Sequence, residues 1–193
     1  MPDRRRSRRW WLLVVVAVAA FAGYRFLPPK ALPAHSGDGE FTDLSWRARA
    51  CGVPVIDVRG YAVSMPRFNL GQDYTAEYRV ARLPDIGREC RLYLAIDDPQ
   101  DRWLFRDDEI CKLRGALRLE VIDANGDVVY HSEGPLSSYV WGNWFGAHRL
   151  YQLEAERFLP DPGNEYTLRV VYQADPALAG YCGYCYLECH PKL

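Results

Sequence analysis

The stretch Ala116–Tyr130, ALRLEVIDANGDVVY, decides the fold class of this chain. Leu117, Leu119 and Val121 alternate with polar or charged residues, so one side of a strand is apolar and the other is polar. Asn-Gly at 125–126 then separates this run from a second apolar one, and both residues tolerate the positive φ of a tight turn. The stretch therefore predicts two antiparallel strands joined as a hairpin.

Three further stretches show the same alternation of apolar and polar residues: Tyr74–Ala81, Arg91–Asp97 and Tyr166–Tyr172. The last follows a second turn signal at Pro160–Asn164. Leu150–Phe158 allows either a strand or a helix, because its apolar residues fit neither period, and its position before that turn favours a strand. No stretch after residue 60 keeps a helical apolar period across four turns. The sequence predicts an all-β domain, an antiparallel β-sandwich of jelly-roll or immunoglobulin-like type, because a sandwich buries one face of each strand.

Two segments before residue 60 leave the secondary structure open. Phe41–Arg49 allows a short helical turn, and Val53–Val58 allows a short strand whose Pro54 suits a sheet edge. Neither segment is assigned from the sequence.

The N-terminal segment combines a basic cluster with an apolar run. Arginines at positions 4, 5, 6, 8 and 9 precede Trp10–Tyr24, which carries no charge. Residues 10–27 contain a single charged side chain, Arg25, and at about 1.5 Å per residue they reach roughly 27 Å, close to a hydrocarbon core. These features predict a transmembrane helix with the arginines on the cytoplasmic side. The alternatives are a cleaved signal peptide with its apolar region at Trp11–Phe21, and a twin-arginine export signal.

These patterns divide the chain into a cytoplasmic basic tail (1–9), a transmembrane anchor or signal peptide (10–27), a linker rich in Pro and Gly (28–40) and an extracytoplasmic β-sandwich domain (41–193). The expected location is the bacterial inner membrane, crossed once, with the C-terminal domain in the periplasm. The tail has a net charge of +4 and the whole chain −1, so residues 10–193 carry −5. Such a body repels phosphate backbones, and no nucleic-acid partner is expected.

Cysteines beyond the apolar run are even in number, which predicts disulfides in an oxidising compartment. They are Cys51, Cys90, Cys111, Cys182, Cys185 and Cys189. The preferred pairing joins Cys90 to Cys111, because each directly precedes a predicted strand and neighbouring strand ends can lie within bridging distance. Cys51 would then pair with one of the three C-terminal cysteines.

The C-terminal cysteines also raise two other chemistries. Cys182, Cys185, Cys189 and His190 are the ligand types of a tetrahedral zinc site, and Cys182 and Cys185 have the spacing of a redox-active pair. Oxidation competes with metal capture outside the cytoplasm, and no helix is predicted after Cys182 to activate a thiolate. The sequence therefore favours disulfides, and no cofactor or metal is expected.

An aromatic segment interrupts the strand pattern between residues 139 and 145. The expected binding residues there are Tyr139, Trp141, Asn143, Trp144 and Phe145. Exposed aromatic side chains on a loop stack on sugar rings or anchor a protein partner. The alternative is that these side chains fold under the sandwich and cap its core.

The order of features resembles an uncharacterised β-sandwich domain found in bacterial exported proteins and lipoproteins. The resemblance spans roughly residues 65–178 and is carried by a strand pair over 74–97, by LRLEVIDANGDVVY, and by Pro-Gly-Asn before YTLRVVY. It implies a β-sandwich without an established activity, so it assigns no site residue. The chain differs from that domain in its C-terminal cysteine cluster and in an apolar run without a lipid-accepting cysteine.

The sequence contains no Gly-x-Ser-x-Gly elbow, no His-Glu-x-x-His and no phosphate-binding glycine loop, and we expect no enzyme activity. The leading hypothesis is a membrane-tethered, extracytoplasmic protein-interaction domain that presents Tyr139–Phe145 to an envelope protein, with the N-terminal helix in the cytoplasmic membrane. One alternative is a glycan-binding module that uses the same aromatic residues. Another is a metal-binding or redox protein centred on Cys182–His190.

Overall fold

The structure is a computed structural model, and it describes residues 13–19, 31–50, 53–97, 112–144, 147–151 and 157–189. Residues 13–19 are helical. Within these described ranges no helix is both long enough and apolar enough to span a bilayer. The transmembrane helix expected over 10–27 therefore stays a prediction.

Apart from two short 3-10 helices, Leu136–Ser138 and Pro176–Leu178, the regular secondary structure in the rest of the described chain is β-strand. Its strands are β1 Ser36–Gly37, β2 Glu40–Asp43, β3 Trp46–Ala50, β4 Val53–Val58, β5 Tyr61–Ser64, β6 Phe68–Asn69, β7 Tyr74–Ala81, β8 Cys90–Asp97, β9 Ala116–Asp123, β10 Val128–Pro135, β11 Val140–Trp144, β12 Ala147–Tyr151, β13 Glu165–Gln173 and β14 Cys182–Cys189. The strands predicted over 74–81, 91–97, 116–130 and 166–172 are confirmed by β7, β8, the β9–β10 hairpin and β13. The helical turn allowed over 41–49 is not formed, because β2 and β3 occupy that stretch.

The chain divides into two compact units. One joins Met1–Ala31 to Ser45–Val58 and contains the antiparallel β3–β4 hairpin. The other consists of Leu32–Leu44 and Arg59–Leu193 and contains the remaining strands, including β1, which lies within the 28–40 segment expected to be a linker.

Five strands of the second unit form one antiparallel sheet in the order β1-β7-β13-β9-β10. At its centre Leu168 of β13 stands opposite Tyr78 of β7 and Val121 of β9. The turn between β9 and β10 is closed by Asp123, whose Oδ1 accepts the N–H groups of Asp127 and Asn125, each at 2.9 Å. Those hydrogen bonds hold the pKa of Asp123 below its usual value. The hairpin that the sequence predicts is therefore built by local contacts within five residues.

The second sheet has seven strands, in the order β11-β12-β8-β14-β5-β2, with β6 also paired to β14. β14 pairs with β8 along its whole length, from Cys182 opposite Asp97 to Cys189 opposite Cys90. The C-terminal stretch Cys182–Cys189, with its closely spaced cysteines, is thus a strand in the middle of this sheet.

The core lies between the two sheets, and buried tyrosines connect them. The hydroxyl of Tyr172, on β13, donates to the carbonyl of Leu70 at 2.9 Å, and the hydroxyl of Tyr130, on β10, donates to the carbonyl of Leu92 on β8 at 3.5 Å. Burial raises the pKa of each of these two phenols to about 12. Each ring fills apolar space while its hydroxyl keeps a partner, which avoids the cost of an unsatisfied buried polar group. Two antiparallel sheets around one core confirm the predicted all-β, sandwich-type class.

The disulfide pairing differs from the expected one. Cys90 is bonded to Cys189 and not to Cys111, and the two Cα atoms are 4.2 Å apart. The reason is the strand register, which sets the first residue of β8 opposite the last residue of β14. Cys182 and Cys185 are free thiols, which also corrects the expectation that they form disulfides. Cys51 and Cys111 lie outside the described residues.

Candidate functional site

A groove opens where β2, the end of β5 and the middle of β14 meet. Its volume is about 530 Å³, and its lining consists of Gly39, Glu40, Ser64, Met65, Pro66, Arg67 and Tyr184. This volume falls in the range of small-molecule sites, which is roughly 300–1,000 Å³. None of these residues is among the binding residues predicted from the sequence.

The groove exists because the chain approaches itself closely at Gly39. Gly39 has a φ of +90°, and a side chain there would place a Cβ 2.9 Å from the carbonyl oxygen of Ser64. A residue with a side chain would therefore strain the backbone and push β2 away from β5. The N–H of Met65 donates to the carbonyl of Cys185 at 2.8 Å, and after Pro66 and Arg67 the chain pairs with β14 again through β6, where Phe68 stands opposite Gly183.

The face of the seven-stranded sheet turned away from the core carries a row of tyrosines. The alternation of β14 puts Gly183, Cys185, Leu187 and Cys189 on one face and Tyr184 and Tyr186 on the other. The rings of Tyr93 and Tyr186 stack with centroids 5.0 Å apart, and those of Tyr184 and Tyr186 are 6.0 Å apart. Tyr186 is buried while Tyr93 and Tyr184 are half-buried, so the row ends at the groove with a partly exposed ring.

Arg67 lies over that last ring. Its guanidinium carbon is 5.7 Å from the centroid of Tyr184, within the range of a cation–π contact. Its Nε is 2.5 Å from Oδ2 of Asp97, the last residue of β8. The side chain of Arg67 is 68% exposed and that of Asp97 30%. The pair therefore holds a planar set of N–H donors and carboxylate acceptors at the edge of an aromatic surface.

The structure places the predicted binding residues differently from the expectation. Tyr139 is 4% exposed, and its hydroxyl donates to the carbonyl of Leu117 at 2.8 Å and lies 3.2 Å from Oγ of Ser132. Burial raises the pKa of this phenol. Tyr139 is thus a core residue and not part of an exposed contact surface, which agrees with the alternative that this part of the segment caps the core.

The rest of the aromatic segment is a strand, not a loop. Trp141, Asn143 and Trp144 belong to β11, where their backbones pair with Leu150, His148 and Ala147 of β12. Ala147 in turn pairs with Asp97, which forms the ion pair with Arg67. The backbones of Trp144, Ala147 and Asp97 therefore lie in one row across three strands. Phe145 lies outside the described residues. The segment and the groove therefore share one sheet.

The C-terminal cysteines do not form the site that their spacing suggests. Cys182 is exposed and Cys185 is buried in the core, and burial raises the pKa of the Cys185 thiol. Because the two side chains leave β14 on opposite faces and Cys189 is bonded to Cys90, they do not act as a redox pair or a shared ligand set. Among the described residues no group of three or more His, Cys, Asp or Glu side chains is placed to hold a metal, and His190 lies outside them.

No family model matches this chain, and no curated protein matches it. Three solved structures show a remote similarity. The first, Caldicellulosiruptor saccharolyticus CBM27-1 in complex with mannohexaose, is 10% identical, with 84% of each chain covered and a TM-score of 0.35. The second, TmCBM27, is a carbohydrate-binding module studied for specific mannan recognition; it is 14% identical over 84% of this chain and 98% of its own, with a TM-score of 0.34.

The third is an arabinose-bound α-L-arabinofuranosidase, MgGH51. It is 12% identical, with a TM-score of 0.24, and the match covers 86% of this chain and 25% of the arabinofuranosidase. These TM-scores are too low to support the fold of this chain, so the fold described above is based on the strand pairing of the chain itself.

Proposed function

We propose that this protein is a non-catalytic binding module that holds a saccharide in the groove between β2, β5 and β14. The observation that carries the proposal is the half-buried ring of Tyr184 beside the ion pair of Arg67 and Asp97. A pyranose has apolar C–H faces that pack on aromatic rings and a rim of hydroxyls that needs fixed donors and acceptors. The groove supplies the aromatic ring through Tyr184 and the donors and acceptors through Arg67 and Asp97.

Binding fits the groove better than hydrolysis does. Glycoside hydrolysis uses two carboxyl groups, one of which has to stay protonated as the acid. Among the described residues that line the groove, Glu40 is the one with a carboxyl group. The carboxylate of the nearby Asp97 forms an ion pair with Arg67. This arrangement supports a module without catalytic activity.

A protein partner is the main alternative, and one observation counts against the contact surface that the sequence predicts for it. The contact surface expected over 139–145 loses its first aromatic residue, because Tyr139 is buried in the core. An envelope protein that binds to the groove face remains a possible outcome of the experiment below.

We place the module outside the bacterial inner membrane, with residues 10–27 as a single-pass tether and the sandwich in the periplasm. Every residue of the described helical stretch 13–19 is exposed, among them Leu13 at 62% and Val18 at 62%. An apolar helix that is exposed all round is suited to a lipid environment. The Cys90–Cys189 disulfide fits an oxidising compartment.

Affinity electrophoresis of the purified full chain tests the proposal. The gels contain one of three neutral hexose polymers: galactomannan, glucomannan or mixed-linkage β-glucan. We expect at least one polymer to retard the protein, and Tyr184→Ala to weaken that retardation about two- to tenfold, because a stacked ring contributes about 0.5–1.5 kcal/mol beyond its buried area.

Arg67→Ala has a matched control in Arg79→Ala. Arg79 is also an exposed arginine in an ion pair, with Glu165, but it lies on the five-stranded sheet. We expect Arg67→Ala to lose binding and Arg79→Ala to keep it. Retardation by none of the three polymers, or retardation unchanged in both groove variants, would overturn the proposal, and capture of a defined envelope protein through Tyr184 would replace it.

A further inference from the structure

The charges around the groove restrict which saccharide it accepts. Cross-strand pairing sets Tyr93, Tyr186, Ser64 and Glu40 in one row across β8, β14, β5 and β2. Residues that are directly opposite one another share a face of the sheet. The exposed carboxylate of Glu40 therefore stands on the tyrosine face, at the outer edge of the groove.

Arg67 does not offset this carboxylate, because its charge is already matched by Asp97. Nε of Arg67 lies 2.5 Å from Oδ2 of Asp97, so a ligand carboxylate that bound the remaining N–H donors of the guanidinium would add a second negative charge beside Asp97. Glu40, Arg67 and Asp97 together carry a net charge of −1. Residues 10–193 as a whole also carry a net charge of −5, which disfavours the approach of acidic ligands.

We infer that the groove selects uncharged saccharides and rejects acidic ones such as uronates, with Glu40 as the discriminating residue. A ligand carboxylate at about 6 Å from Glu40 is repelled by roughly 1 kcal/mol at an effective dielectric constant of about 50, which corresponds to about a fivefold loss of affinity. Discrimination by repulsion leaves binding of the neutral ligand almost unchanged, so the effect appears as a ratio of affinities. This inference rests on the proposed saccharide binding and adds the charge class of the ligand.

The test compares each of the three hexose polymers with its own C6-oxidised form, in which the hydroxymethyl group has become a carboxylate. Backbone and linkage stay the same, so only the charge and the C6 group differ. In affinity electrophoresis of the full chain at low ionic strength, we expect the oxidised form to bind about three- to tenfold more weakly than the native form. Glu40→Gln should reduce that ratio by about half or more, whereas Glu133→Gln, on β10 of the other sheet, should leave it unchanged.

The outcomes separate the two proposals. Retardation by a native polymer together with equal or stronger retardation by its oxidised form overturns the charge selection and leaves saccharide binding standing. An unchanged ratio in Glu40→Gln also overturns the role of Glu40, and it does so independently of folding because the native polymer reports on the folded groove. Retardation by neither form of any polymer removes both proposals together.

Discussion

Arg169 connects three strands by binding the buried carboxylate of Glu120. Its Nη1 is 3.3 Å from Oε2 of Glu120 on β9, while its Nε is 2.7 Å from Oε1 of Glu77 on β7. Glu120 is 3% exposed and also accepts Nη2 of Arg118 at 2.6 Å. Burial acts to raise the pKa of Glu120, but the hydrogen bonds and charges of Arg118 and Arg169 outweigh it, and the pKa is lowered. The outer face of the five-stranded sheet thus holds a carboxylate that is ionised at neutral pH.

This carboxylate predicts a loss of stability in acid. A pKa that is lower in the folded chain contributes stability above the ordinary value of 4.5, and that contribution disappears as the pH falls through the folded value. We expect the free energy of unfolding, measured with urea, to fall as the pH is lowered below about 4.5. Glu120→Gln should cost about 1–3 kcal/mol at neutral pH and show a flatter acid limb, because its side chain does not titrate. An acid limb of equal steepness in wild type and Glu120→Gln would contradict this.

The disulfide predicts a second, larger stability effect. Cys90 and Cys189 are separated by 99 residues, and in the chain-entropy account closing a loop of that size contributes about 4–5 kcal/mol. We expect the double variant Cys90→Ala, Cys189→Ala to lose about 3–5 kcal/mol in urea unfolding. Cys182→Ala is the control, since an exposed free thiol should change stability by less than about 0.5 kcal/mol. A double variant as stable as the control would exclude the pairing of Cys90 with Cys189.

The sequence predicts the parts of this fold that local chemistry determines. The β9–β10 hairpin is an example, because the side chain of Asp123 and the positive φ of Gly126 set the turn within five residues. The sequence does not predict β14, because both of its faces carry buried residues, such as Cys185 and Tyr186, and the apolar–polar alternation of a half-exposed strand is absent. Its cysteines then suggested site chemistry in place of a strand.

The candidate site was beyond the reach of the sequence for a different reason. Its lining comes from positions 39–40, 64–67 and 184, which meet only after β2, β5 and β14 have paired. The same holds for the pairing of Cys90 with Cys189, which depends on register. The burial of Tyr139 is also not evident from the sequence, because its hydroxyl finds its acceptor, the carbonyl of Leu117, 22 residues away. Contacts of this kind leave no periodic signal along the chain.

Asp175 predicts the cost of removing a buried acceptor. It is 3% exposed; its Oδ2 accepts the N–H groups of Arg114 at 2.5 Å and Gly115 at 2.9 Å, and its Oδ1 accepts that of Ala177 at 2.8 Å. Asp175→Ala should cost about 2–3 kcal/mol in urea unfolding, because it leaves backbone N–H groups without an acceptor.

The neighbouring Asp73 provides the control for Asp175. Asp73 is exposed and accepts one N–H group, from Ala174 at 2.8 Å, so Asp73→Ala should cost about 0.5–1 kcal/mol. Asp175→Asn should fall between the two alanine variants, because an amide keeps one acceptor oxygen. If Asp175→Ala and Asp73→Ala lowered the free energy of unfolding equally, burial would not increase the contribution of these hydrogen bonds to stability.

The two free thiols of β14 predict unequal reactivity within one peptide. Cys182 is exposed, whereas Cys185 is 1% exposed with its thiol pKa raised by burial, so its thiolate is scarce as well as hidden. N-ethylmaleimide added to the native chain at about pH 8 should label Cys182 and leave Cys185 unlabelled, and both should react in guanidinium chloride. Tandem mass spectrometry assigns the label by position, and the unfolded sample is the control for intrinsic reactivity. A native peptide lighter by two hydrogens and resistant to labelling would mean that Cys182 and Cys185 are bonded to each other, which two side chains on opposite faces of one strand do not allow.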